Sequence, residues 1–142
     1  MNPLEVTLVQ ASFARLLPLA DRAVPRFYAH LLAIDPSLRA SVPRDLRVSG
    51  PALMLRLGQM INSLDRPRVS MPLLRALLRS DAPQPRNTAH LAKVARAAMQ
   101  TLQQLLGSEL DGPCRAAWGA LYFLALGVIA EDALWSEQPL AA

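Results

Sequence analysis

Apolar residues recur along this chain at intervals of three and four, the spacing that lines one face of an α-helix. Val6, Leu8, Val9, Phe13 and Leu16 form such a stripe and predict a helix over residues 4–17. Pro18 closes it, because proline lacks the N–H that helical bonding needs. Ala23, Phe27, Leu31 and Leu32 predict a second helix from about residue 19. Asp35-Pro36 pairs a capping side chain with a residue pre-set for the first helical position, so a short turn of helix follows through Ala40. Ser49-Gly50-Pro51 reads in the same way, as the start of a helix carrying Leu53, Leu57, Met60, Ile61 and Leu64. Ser70-Met71-Pro72 opens a shorter one with Leu73, Leu74, Leu77 and Leu78, ended by Asp81-Ala82-Pro83-Gln84-Pro85. Asn87 or Thr88 caps a long helix through Leu91, Val94, Ala98, Leu102 and Leu105, which Gly107 stops. Asp111-Gly112-Pro113 begins the last helix, which runs to about Trp135.

That last helix is apolar nearly all round from Leu121 to Ala130. Such a helix is covered on more than one side, by its own fold or by a second subunit. Twelve prolines against six glycines, with Leu and Ala far outnumbering Val and Ile, favour helices separated by proline breaks over a β-sandwich or barrel. With 142 residues, no repeat and no long linker, the chain is expected to be one all-α domain.

The net charge is +4, and Lys93 is the lone lysine beside fourteen arginines. That is modest for a nucleic-acid binder, and no aromatic residues interleave with the arginines to stack bases. Cys114 stands alone, which excludes an internal disulfide and a cysteine-based zinc site. Met1-Asn2-Pro3-Leu4-Glu5 lacks the basic-then-apolar pattern of a secretory leader. The longest apolar run, Ala116 to Ala130, falls short of the roughly 20 residues that span a bilayer. A cytoplasmic protein without membrane association is expected.

Six segments in order carry a family resemblance. They are Val9-Gln10-Ala11-Ser12-Phe13; Arg26-Phe27-Tyr28-Ala29-His30-Leu31-Leu32; Asp35-Pro36-Ser37-Leu38-Arg39; Ile61-Asn62-Ser63-Leu64-Asp65; Ala89-His90-Leu91-Ala92-Lys93-Val94; and Ala117-Trp118-Gly119-Ala120-Leu121-Tyr122. Together they resemble bacterial single-domain globins and the globin domain of flavohaemoglobins, over residues 5–133, with 136–142 as a tail. The resemblance implies a globin fold, a three-on-three helical sandwich of about six to eight helices.

It also implies a haem site, and here the chain departs from the family. The position of the iron-ligating histidine is matched by Asp81, a hard oxygen donor and a poor substitute for imidazole. The phenylalanine that packs on haem is matched by Val42 and the distal polar residue by Ser49. The tyrosine and glutamate that support the iron ligand in flavohaemoglobins are matched by Leu91 and Ala133. Tyr28 alone agrees, at the distal tyrosine. The expectation is therefore a haem-free globin with a vestigial pocket lined by Tyr28, Val42, Ser49, Leu53, Leu57, Leu77, Asp81 and Leu91, acting as a sensor, adaptor or interaction module rather than an enzyme.

Two alternatives stay open at this point. One is a haem protein for oxygen or nitric oxide, with His90 or Tyr28 as the ligand and, in the extreme, a nitric oxide dioxygenase-like activity. The other is a binder of a small apolar molecule in the vestigial pocket. Two surfaces are candidates for partners. Leu121, Phe123, Leu124, Leu126 and Val128 would suit a homodimer through the last two helices, as similar haem-free globin domains of bacterial stress-signalling proteins pair. Arg66, Arg68, Arg75, Arg79 and Arg86 would form a basic face for an acidic protein.

Overall fold

The computed structural model describes residues 1–80 and 88–137, so Asp81, Arg86 and the proline-rich break between them lie outside the described residues, as does the end of the tail. Among the described residues the chain is all-helical, with no strand.

Helix α1 (Pro3–Leu16) starts on a reciprocal cap: Asn2 Oδ1 accepts from the Glu5 N–H, and Glu5 Oε1 accepts from the Asn2 N–H, each at 2.8 Å. A 3-10 turn at Leu17–Leu19 holds Pro18 and redirects the chain into α2 (Ala20–Ile34). The carboxylate of Asp35 caps the following 3-10 helix, Pro36–Ser41, as the sequence predicts. Then come α3 (Leu46–Asn62), α4 (Pro67–Ser80), α5 (Thr88–Leu106), a 3-10 turn at Gly107–Glu109, and α6 (Gly112–Glu137). Asp111 Oδ1 accepts from the Cys114 N–H at 2.9 Å and so caps α6.

Two starts differ from the sequence reading. Helix α3 begins not at Pro51 but a turn and a half earlier, where Asp45 Oδ1 accepts from the Arg47 N–H at 3.0 Å. Helix α4 begins at Pro67, not Pro72. In both, a proline in the second turn lacks one helical bond and the helix continues through it. The last helix begins where its reading placed it and ends within two residues of the expected end. It is longer than its uncharged run, and by length and composition residues 112–132 would suffice to cross a membrane.

Helix α1 lies on α6 and α2 on α5, while α3 packs on α2, α1 and α4. Val9, Phe13 and Ile61 lose nearly all contact with solvent at the centre of this arrangement. Two glycines lie where α3 touches its neighbours. A Cβ at Gly50 would lie 3.4 Å from Val24 Cγ1, and one at Gly58 the same distance from Phe13 Cε1. A second, smaller cluster forms where α2, the Pro36–Ser41 turn and α5 meet, around Leu31, Leu38 and Ala97. The ring of Tyr28 packs against both clusters and meets Phe27 edge-on, with centroids 5.1 Å apart.

Side-chain hydrogen bonds also join the helices. Trp118 Nε1 on α6 donates to Ser12 Oγ on α1 at 2.9 Å. Gln10 Nε2 donates to the Ile61 carbonyl at 3.1 Å, pinning α1 to the end of α3. On the other side, His30 Nε2 meets Gln104 Oε1 at 2.8 Å between α2 and α5.

Candidate functional site

The residues expected around a vestigial pocket come from α2, the corner after it, α3, α4 and α5. Their surroundings decide what they can do. Leu91 is buried in the main core, and Leu57, Leu77 and Tyr28 pack against that same core. Val42 and Leu53 are half-buried and belong to neither apolar cluster. Ser49 is spent locally: because α3 begins early, Ser49 sits in its first turn and its Oγ donates to the Asp45 carbonyl at 2.9 Å. A hydroxyl committed to its own helix has little left for a distal ligand. Asp81 lies outside the described residues.

His90 is half-buried at the third position of α5, and His30 is half-buried with its Nε2 2.8 Å from Gln104 Oε1. Among the described residues no three His, Cys, Asp or Glu side chains converge to hold a metal ion. Cys114 is a buried thiol packed in the main core. Leu57, Leu77, Leu91 and Tyr28 are thus part of the core or packed on it, and the Ser49 hydroxyl is bonded within α3.

No family model matches the chain, and no curated protein aligns with it.

Arg75 Nη2 lies 3.4 Å from Glu131 Oε2 and Arg79 Nη2 lies 3.9 Å from Asp132 Oδ2, so these two α4 arginines are turned toward acids on α6. Exposed pairs of this kind contribute little stability, but they orient the side chains. Arg66 and Arg68 remain exposed at the start of α4, and Arg86 lies outside the described residues.

One ion pair is better protected. Lys93 Nζ on α5 meets Asp35 Oδ2 at 2.7 Å, and Ser37 donates to Oδ1 through both its hydroxyl, at 2.6 Å, and its N–H, at 3.0 Å. The Lys93 hydrogen bond, and then those from Ser37, hold the Asp35 carboxyl at about 2, below its ordinary 3.8. This pair ties the corner after α2 to α5 and closes the smaller cluster from outside.

The surface of α6 also sorts differently from the sequence expectation. Leu121 and Val128 are buried in the chain's own core, so they do not serve a second subunit. Leu124 and Leu126 are half-buried against it. Phe123 is the outward member of the set, 69% exposed, and Leu134 further along is 63% exposed. Sequence reasoning passed over the small residues beside Phe123: Ala116, Gly119, Gly127 and Ala130. The signal was there, in two glycines placed inside a helix that has no need of them.

Proposed function

We propose that this chain is a globin-fold protein that does not hold haem in the usual way and acts as a sensory, adaptor or interaction module of the cytoplasm. Support for the globin part comes from helix order and pairing: α1 on α6, α2 on α5, and α3 crossing closely over α2 at Gly50. That pairing fits a three-on-three helical sandwich, and it agrees with the six segments of sequence resemblance. Fold alone assigns no activity, so the remainder rests on the site.

The observation that carries the haem-free part is the use made of the pocket residues. Leu91 is buried in the main core with Leu57 and Leu77 packed against it, and Ser49 is bonded to its own helix. Asp81 in the place of the iron ligand agrees with this. An unpaired carboxylate facing an apolar haem pocket would cost several kcal/mol. On this reading the chain has no catalytic group, and its function lies in what its surfaces bind.

Thermal unfolding with and without equimolar haemin tests the reading. A ligand that binds the native state raises its stability by mass action, by about 2.7 kcal/mol at a hundred times its Kd. The expected result is an unchanged midpoint. A rise that saturates at one haemin per chain would sink the proposal, and replacing His90 and Tyr28 in turn would then locate the ligand.

A further inference from the structure

We infer that the outer face of α3 is a docking surface for a helix of an acidic partner protein, one whose apolar stripe is bordered by aspartates and glutamates. This deepens the interaction half of the reading above, rests on that half alone, and would stand unchanged if haem were found to bind. The inner side of α3 is spent on the fold, because Gly50, Met54, Met60 and Ile61 are buried where the helix packs on α1, α2 and α4. The outer side carries Val48, Pro51, Ala52 and Leu55, all exposed. Val48 is 72% exposed and Leu55 64%, and among the described residues no large apolar side chain is more exposed than Val48.

The spacing of these residues fits a helix. Positions 48, 51, 52 and 55 run at i, i+3, i+4 and i+7, so they form one stripe, about 10.5 Å long, on the side of α3 that faces solvent. A stripe of this period is the seam on which one helix seats another. Arg47 precedes Val48 and Arg56 follows Leu55, which puts their side chains about 100° to either side of the stripe. Both are exposed. The outer face of α3 is therefore an apolar ridge with a guanidinium on each border.

Charge selects the partner. From Pro36 to Asn62 the chain holds four arginines, Arg39, Arg44, Arg47 and Arg56, and a single acid, Asp45. This segment thus supplies three of the four net positive charges of the whole chain. Among the described residues none of these four arginines meets a carboxylate, whereas Arg15, Arg75, Arg79 and Lys93 each do. Asp45 is turned to the start of its own helix, where it accepts from the Arg47 N–H. An apolar stripe between carboxylates is the complement of this surface, and the same arginines reject basic partners. A second copy of the chain would bring arginine to arginine, so it is not the occupant. Nucleic acid would lay phosphates over Val48 and Leu55, and α3 has no aromatic side chain to stack a base or to anchor at a lipid interface.

The probe is a fluorescein-labelled peptide of about 21 residues, long enough to form a helix, with leucine at i, i+3, i+4 and i+7 and glutamate on both borders. Fluorescence anisotropy with the full chain at about 50 mM salt should show saturable binding with a Kd at or below about 100 μM. The same peptide with lysine in place of glutamate should bind at least about tenfold more weakly. Arg47→Glu with Arg56→Glu should reverse that preference. Val48→Ser with Leu55→Ser should weaken binding of the glutamate peptide at least about tenfold, with helix content unchanged because both side chains stand in solvent. No binding of the glutamate peptide, equal binding of the two peptides, or a preference that survives the charge reversal would each overturn the proposal. So would indifference to the serine pair, or an equal loss from Arg66→Glu with Arg68→Glu at the start of α4. Partition onto phosphatidylglycerol vesicles that the glutamate peptide does not displace would overturn it as well. Haemin binding in the same samples would instead count against the haem-free reading and leave this one standing.

Discussion

Replacing Ser12 by alanine removes the acceptor of the one side-chain hydrogen bond that joins α1 to α6 among the described residues. Ser12 is almost wholly buried, and its Oγ donates to the Leu8 carbonyl at 2.7 Å while accepting from Trp118 Nε1 at 2.9 Å. The loss has two parts. The hydrogen bond itself is worth about 0.5–1.5 kcal/mol net, and an indole N–H left without a partner adds about 1–3 kcal/mol if it stays dry. Trp118 is only half-buried, so water can reach part of its ring and the second part falls at the low end. Alanine also favours the helix interior over serine by about 0.5 kcal/mol, which offsets some of the loss. The expected cost of Ser12→Ala is therefore about 1–1.5 kcal/mol. Urea unfolding followed by far-ultraviolet circular dichroism measures it without depending on the indole. Trp118→Phe removes the donor from the other side, and a double-mutant cycle isolates the coupling between the two. A coupling near 1 kcal/mol is expected. Additive single-site costs, with Ser12→Ala as damaging beside phenylalanine as beside tryptophan, would refute the account of how α1 is held on α6.

Three further outcomes follow from the same packing. Phe13→Ala empties the most enclosed aromatic site, under Gly58 of α3, and should cost about 3–5 kcal/mol, read as a fall in the urea midpoint at constant m. Gly107 has φ +55° at the end of α5, a region that side chains rarely adopt, so Gly107→Ala should cost about 1 kcal/mol in the same assay although its Cβ meets nothing. Asp35 is held at about 2 against an ordinary 3.8, so its contribution is complete above pH 4 and is lost as the pH falls from 4 through 2. Lys93→Met should flatten that part of the stability–pH curve, and an identical acid limb in the variant would count against the ion pair.

Much of the helical frame was legible because it is signalled locally. Pro18, Asp35-Pro36, Gly107 and Asp111 each stop or start a helix by their own chemistry, and each does so in the structure. The starts of α3 and α4 were misplaced because Pro51 and Pro72 look like first-turn prolines, although the helices begin at Asp45 and Pro67 and run through them. Tertiary packing sustains such a helix across one missing bond, and no local pattern reports that packing. The site was less legible for a related reason. A helix apolar on all sides gives no periodic sign of which side faces inward, so Leu121 and Val128 could not be told from Phe123 until α1 was seen lying on α6. The arginines likewise read as one patch in sequence, yet Arg75 and Arg79 meet acids that lie more than fifty residues away.

The central proposal is that this fold fills with its own side chains the place where a globin would hold haem. An absorption titration of the purified chain with haemin tests it most directly. The account predicts a spectrum that remains that of free haemin at every ratio. A sharp Soret band that saturates at one haem per chain and shifts with carbon monoxide would contradict it.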